Sequence, residues 1–162
     1  MEKHITTNLT NYLSKFNIII KEQFAYQKNK STTDLLIELV DMINQNLLSE
    51  KLVMALSIDL SKAYDVIDHS KLLDAIEKVG IRGKVHDLFR NYLKDRNFRV
   101  KVGMSHSKKI EIEQGIPQGS YLGPILYLIY VNDIHKCFEN SEYFIYADDK
   151  LLISSHKNQK NC

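Results

Sequence analysis

A chain of 162 residues with a 44% apolar share, 26% charged residues and only six Gly and two Pro has the make-up of one packed domain, which excludes two ordinary domains and wholesale disorder. Cys137 and Cys162 are too few and too far apart for a disulfide framework or a zinc site, no apolar run approaches the roughly 18 residues of a membrane span, and residues 1–10 carry no signal peptide; a soluble intracellular protein, nuclear or cytoplasmic and without a membrane partner, is expected. The net charge of +2 hides an asymmetry: residues 82–109 hold nine basic residues against Asp87 and Asp95, leaving the remainder net acidic, a division that suits a polyanion-binding surface beside a carboxylate site, or a plain solvated face.

In chain order, Ile5, Leu9, Tyr12, Leu13 and Phe16 recur at spacings of three and four and predict an amphipathic helix over about residues 2–16. Ser31 with Asp34 three residues on reads as a capping-box variant, opening a second helix with the stripe Leu35, Leu36, Leu39, Val40, Ile43 and Leu47. Residues 52–60 are nearly continuous apolar and include Asp59 near their end, which predicts a strand buried on both faces that delivers a carboxylate. Leu72, Leu73, Ile76 and Val79 predict a short helix stopped by Gly80, and Val85, Leu88, Phe89, Tyr92 and Leu93 predict another. The period then changes to two: Phe98, Val100 and Val102, and Ile110, Ile112 and Gln114, predict a hairpin around Gly103. Three of the six Gly and both Pro fall within residues 115–124, so the special backbone residues gather in one loop. An apolar helix with Leu122, Ile125, Leu126, Ile129 and Ile134 follows, and residues 143–147 and 151–154 read as strands around a tight Asp148-Asp149 turn.

Asp59 and Asp148-Asp149 each lie where a strand ends. A carboxylate there costs desolvation unless compensated, and a divalent cation compensates it. Mg²⁺ takes hard oxygen ligands, and three carboxylates from two adjacent strands could hold two ions about 3.5–4 Å apart, the spacing used in phosphoryl transfer. The plainer reading makes Asp148-Asp149 a hairpin turn and Asp59 a strand-end cap.

Five segments in order carry a resemblance: Gln-Phe-Ala-Tyr-Gln-Lys-Asn-Lys-Ser-Thr-Thr-Asp (residues 23–34), Ala-Leu-Ser-Ile-Asp-Leu-Ser-Lys-Ala-Tyr-Asp (55–65), Gly-Ile-Pro-Gln-Gly-Ser-Tyr-Leu-Gly-Pro (115–124), Tyr-Val-Asn-Asp-Ile (130–134) and Tyr-Ala-Asp-Asp (146–149). Together they resemble the reverse-transcriptase domain of non-LTR (LINE-type) retrotransposons over about residues 23–155. The resemblance implies an α+β fold, the palm of a right-hand polymerase with its antiparallel sheet backed by helices and part of the fingers. Residues 1–50 and 80–115 would be fingers-like, and 51–79 and 116–162 palm. It implies RNA-directed DNA synthesis, with an RNA template, a DNA primer and dNTPs as partners and two Mg²⁺ ions, Mn²⁺ being a substitute. Asp59 and Asp148 match the metal carboxylates, and Asp149 the third acid of the site. Leu60, Ser61, Lys62, Ala63 and Tyr64 match the segment whose backbone faces the triphosphate. Tyr64 itself matches the aromatic gate that excludes a 2′-hydroxyl, with core packing between Ala63 and Val66 as its plainer role. Gln118 and Gly119 match the loop near nucleotide and template, and Ser120 would cap the next helix. Asp65 would cap a helix or hold Lys62. Lys94, Arg96, Arg99 and Lys101 are assigned to the template-primer backbone, on charge more than on motif.

The chain departs from the family at Ala25, where Gly is usual, at Gln27, where Arg is usual, at Asn29, where Gly often occurs, and at Lys150, where a small polar or apolar residue is commoner. By that comparison an upstream fingers segment would precede Met1 and the helical thumb is absent, so apolar surface is expected where they would pack. The alternative to a catalytic core is an inactive retrotransposon-derived fragment acting as a nucleic-acid or protein interaction module. A stand-alone two-metal nuclease is disfavoured, because the Gln118 loop and Tyr64 belong to nucleotide selection.

Overall fold

A computed structural model describes residues 1–138 and 141–157. Cys137 is exposed, and Cys162 lies outside the described residues. The three-and-four spacings become helices: α1 (Glu2–Lys15), α2 (Thr32–Leu48), α3 (His69–Lys78), α4 (Lys84–Leu93) and α5 (Gly123–Val131), the last running on into a 3₁₀ turn, Asn132–Cys137. Ser31 caps α2 as expected, its Oγ accepting from the Asp34 N–H at 3.2 Å and donating to the Asp34 carboxylate at 2.6 Å. The cap of α3 is Asp68, which accepts from the Lys71 N–H at 3.0 Å, so Asp65 is not the helix cap. Gly80 ends α3's last turn at φ +92°, and a Cβ there would stand 2.7 Å from the Tyr12 hydroxyl, which donates to the Val79 carbonyl at 2.9 Å.

One apolar cluster joins the helices. Leu9 and Leu13 of α1, Leu72 and Ile76 of α3, Phe89 and Leu93 of α4, and Ile125, Leu126 and Ile129 of α5 are buried together with Ile67 and Ile116 from the loops. This is what the helical stripes dictate, since each helix hides one apolar face against its neighbours. The stripe of α2 is the exception: Leu36, Val40 and Leu47 are each more than half exposed.

The strands are β1 (Lys51–Ile58), β2 (Asn97–Phe98), β3 (Lys101–Val102), β4 (Ser105–His106), β5 (Ile110–Glu111), β6 (Glu142–Tyr146) and β7 (Asp149–Lys157). β1, β7 and β6 form an antiparallel sheet with β7 in the centre, and α2 packs against β1 and β6. The apolar run of β1 is therefore not buried on both faces. It is an edge strand, and Leu52, Met54 and Leu56, which share a face by the two-residue period, stand 57%, 63% and 59% exposed. The expected hairpin is a broken ribbon: β2 pairs with β5 and β3 with β4, with Gly103 at φ +59° in the turn, while Gln114 leaves the ribbon to bridge Asp68. Phe98, Val102 and Ile110 remain exposed, so alternation predicted the pairing but among the described residues no layer covers the ribbon's apolar side.

Candidate active site

β7 brings the acids together. Lys150 lies opposite Ile58 of β1 on one side and Ile145 of β6 on the other, and Tyr146 lies opposite Asp149. One further step of the β1 register sets Asp59 across from Asp149, so Asp59, Asp148 and Asp149 share one end of the sheet. Asp59 and Asp149 are exposed and Asp148 is half-buried. The buried strand end expected for these acids is therefore not what forms: Asp59 and Asp149 open to solvent and Asp148 is only partly covered. Among the described residues no three acidic, His or Cys side chains close into a cage for an ion. An open edge of hard carboxylates nonetheless fits Mg²⁺, which takes one or two protein carboxylates and completes its shell with waters and substrate phosphates.

The tight turn is Ala147-Asp148, one residue earlier than the sequence suggests, and Asp149 is the first residue of β7. Ala147 has φ +56° and Asp148 does not share that sign, the pattern of a type II′ turn that usually places Gly first. Such a conformation persists only where surroundings hold it. Gln23 is one such hold: buried at 2% exposure, its Oε1 accepts from the Ala147 N–H at 3.1 Å and from the Ala25 N–H at 2.9 Å. The adjacent Phe24 N–H donates to the Ile145 carbonyl at 2.8 Å, and the Ile145 N–H to the Glu22 carbonyl at 2.9 Å. The first motif segment is thus sewn along β6 to the acid turn. Lys150 is buried behind that turn and its Nζ donates to the Asp148 carbonyl at 3.0 Å. Burial pushes its ammonium down in pKa, while Asp148, Asp149 and Asp59 pull it back up.

After Asp59 the chain runs through a turn in which Lys62 has φ +57°. Ser61 and Lys62 are exposed and Leu60 half-buried; Ala63 is buried and its N–H is taken by the Leu60 carbonyl at 3.2 Å, so that amide does not face outward. Tyr64 is half-buried and lies flat on Tyr127 of α5, ring centroids 5.0 Å apart at 14°, with its hydroxyl donating to the Tyr26 hydroxyl at 3.3 Å. Burial first, and then that hydrogen bond, raise the Tyr64 pKa; burial, then Asp148, raises that of Tyr127.

The glycine loop is stitched to this same turn. The Gly115 N–H donates to the Ile67 carbonyl at 2.7 Å and the Ile116 N–H to the Tyr64 carbonyl at 3.0 Å, while a Cβ at Gly115 would sit 2.9 Å from the Asp65 carbonyl oxygen at φ +84°. Only glycine permits that approach. Gln118 Nε2 donates to the Asp65 carboxylate at 3.0 Å, which is the partner Asp65 takes instead of a helix end or Lys62. Gly119 has φ +79° with open space around it. Ser120 Oγ accepts from the Gly123 N–H at 2.8 Å, tightening the loop just ahead of α5, whose capping residue is Leu122. Of the basic residues, Lys94, Arg99 and Lys101 are exposed and Arg96 half-buried. Lys94 stands 4.0 Å from Asp95, and the others lie on the β2–β5 ribbon and its lead-in, apart from the strands that carry the acids.

Sequence reasoning gave no role to Gln23, Tyr26 or Tyr127. Gln23 opens the first motif segment, which was a usable signal; Tyr127 sits in a uniformly apolar helix, where nothing in the pattern marks it.

The family described as "Reverse transcriptase (RNA-dependent DNA polymerase)" has a sequence model that matches residues 1–162. A probable RNA-directed DNA polymerase from transposon BS of Drosophila melanogaster is 29% identical over 161 residues, covering 95% of this chain and 18% of that protein. An RNA-directed DNA polymerase from mobile element jockey of the same fly is 25% identical over 164 residues, covering 97% and 18%. A Pol polyprotein from the type-1 retrotransposable element R2 of Popillia japonica is 29% identical over 130 residues, covering 73% and 22%. The chain therefore spans about a fifth of the length of these relatives. Among solved structures, telomerase from Candida albicans in complex with the TWJ fragment of telomeric RNA superposes with a TM-score of 0.72 at 17% identity, covering 93% of this chain and 30% of that one. Apo telomerase from Candida tropicalis, truncated of its C-terminal domain, gives 0.67 at 17%, covering 96% and 34%. These likenesses show the fold, an α+β arrangement of the polymerase-palm kind.

Proposed function

Because the chain belongs to the reverse transcriptase (RNA-dependent DNA polymerase) family, matched over its whole length, we propose that it carries the catalytic core of an RNA-directed DNA polymerase, joining a dNTP to a primer 3′-hydroxyl on an RNA template. Divalent metals are general to this family. The observation that carries the reading is the β1–β7–β6 register, which, continued one step past Ile58, brings Asp59 to the sheet end where Asp149 opens β7 beside the Ala147-Asp148 turn.

In this reading Asp59 and Asp148 hold Mg²⁺, which Mn²⁺ can replace, with Asp149 shaping the edge. Bound there, the ions would acidify the primer hydroxyl and neutralise the departing pyrophosphate. The primer O3′–P bond forms as the bond to pyrophosphate breaks, so no side chain need become covalently attached. The turn through Leu60, Ser61 and Lys62, which closes on buried Ala63, offers the triphosphate the exposed polar edge of Ser61 and Lys62 beside Asp59, and Tyr64, braced flat on Tyr127, presents its ring to the sugar. Gln118 and Gly119 face nucleotide and template, with Asp65 fixing the Gln118 amide. Lys94, Arg96, Arg99 and Lys101 meet backbone phosphates of template and primer, contacts that position without reading sequence.

Primer extension on an RNA template with Mg²⁺ tests this. The wild-type chain extends, whereas Asp148→Asn and Asp59→Asn fall to background with folding intact by circular dichroism. Extension that survives either substitution rejects the metal roles. A second reading, a fragment retained only as an interaction module, is favoured by one observation, the buried Lys150 among the acids. It predicts nucleic-acid binding that is indifferent to divalent cation and no extension.

A further inference from the structure

Lysine is rarely buried without a reason that involves its charge. Lys150 is 2% exposed, on the central strand of the sheet, and its register partners on both sides, Ile58 and Ile145, are apolar. Packing alone would select an apolar side chain in that slot. Its four-carbon stem can serve the packing, but the ammonium is left over, and it is directed at the turn, donating to the Asp148 carbonyl at 3.0 Å with Asp59, Asp148 and Asp149 all within its electrostatic reach. One positive charge is thus built in behind the edge where three negative ones meet.

We propose that Lys150 sets the divalent-ion affinity of this edge: its ammonium is a resident cation that neutralises part of the acid cluster and weakens Mg²⁺ or Mn²⁺ binding there. The inference rests on the reading of Asp59 and Asp148 as metal carboxylates. Its physics is Coulombic. A divalent ion at the carboxylates is repelled by a unit charge a few ångströms away, and even at the effective dielectric of water, about 80, removal of that charge is worth at least a roughly fivefold change in affinity. A lysine that only filled space would leave ion affinity unmoved on replacement by an equally long apolar chain.

The test is Mn²⁺ binding to the full chain, followed by the loss of the free-ion electron paramagnetic resonance signal, for wild type, Lys150→Met, Lys150→Gln and Asp148→Asn. Circular dichroism establishes that each variant is folded. The expected result is that both Lys150 variants bind Mn²⁺ at least about fivefold tighter than wild type, while Asp148→Asn binds more weakly. Should Lys150→Met fail to fold, Lys150→Gln, which keeps a polar tip and loses the charge, decides. Unchanged or weaker binding in the folded Lys150 variants, with binding still sensitive to Asp148, overturns this inference alone. Binding that Asp148→Asn leaves intact overturns the underlying metal assignment instead.

Discussion

Phe89, Leu72, Ile76 and Leu126 in the helical layer are closed off from solvent, whereas no residue of β1 is buried and Leu52, Met54 and Leu56 stand more than half exposed. The two regions divide the work of the chain. Four helices and the Gly115 loop bury a shared apolar cluster, so cohesion lies there; the sheet contributes a register, and at its open end three carboxylates that can be approached from solvent. Rigid support under an exposed acidic edge is the arrangement that keeps the carboxylates reachable, since burying charged groups with the core would impose a large desolvation cost.

The comparison is tested most severely by removing its stronger member. Phe89→Ala deletes a fully buried ring at the junction of α1, α3 and α4 and should cost about 3–5 kcal/mol, read as a drop in the urea midpoint. A loss below about 1 kcal/mol would show that the helical layer is not where stability resides. Next comes the joint between the regions. Gln23→Ala strips the buried Ala147 N–H of its acceptor and should cost about 1–3 kcal/mol by urea denaturation, because a buried donor left unpaired loses its hydration without return. The contrast with Gln27→Ala, a neighbour whose bond is made by its own amide to a backbone carbonyl, sharpens the point: that variant removes a donor but orphans no amide at the acid turn.

How much of this was readable beforehand follows the same division. The helices were legible because their stripes report burial directly, and Ser31 with Asp34 marked the start of α2 to the residue. The acids were legible as strand-end carboxylates within motif segments. What failed was burial in the sheet: an apolar run such as residues 52–58 looks the same whether both faces are covered or one is bare, since alternation is absent in either case. The turn was misplaced by one residue because Ala147 adopts a left-handed conformation that nothing in its chemistry favours, and the tertiary hold from Gln23 is 124 positions distant. Asp65 could not be assigned from its neighbours because its partner, Gln118, arrives from a loop 53 residues on.

A smaller effect separates the regions by pH. Tyr64 and Tyr127 form a stacked pair where the helical layer meets the acid turn, and burial raises the pKa of both. In the unfolded chain tyrosine releases its proton near pH 10, while the folded protein retains both protons. The folded state then binds more protons than the unfolded one, so stability falls as pH rises through the unfolded-state value. Between pH 8 and 10.5 the pair should cost about 1 kcal/mol, with half-buried Tyr64 contributing the smaller part because water screens it. Tyr127→Phe should remove more than half of that alkaline loss in urea titrations. At neutral pH it should cost nothing, because the Tyr127 hydroxyl is buried with no hydrogen-bond partner among the described residues.

The smallest effect on stability is expected from the exposed strand, and that near-zero value is the most direct check on the comparison. Met54 is 63% exposed on an edge strand that, among the described residues, pairs with β7 alone. Met54→Lys gives up little buried area and keeps the extended backbone, so the unfolding free energy from urea titration should change by less than about 0.5 kcal/mol. Its effect should fall on association instead. An edge strand with a bare apolar row is a template for pairing with another chain, and a lysine on such an edge interrupts it. Sedimentation of the wild type and the variant over a range of concentrations should show less self-association in Met54→Lys at equal stability. A variant that lost several kcal/mol would mean that β1 is packed in solution, and the contrast between closed helices and open sheet would fail.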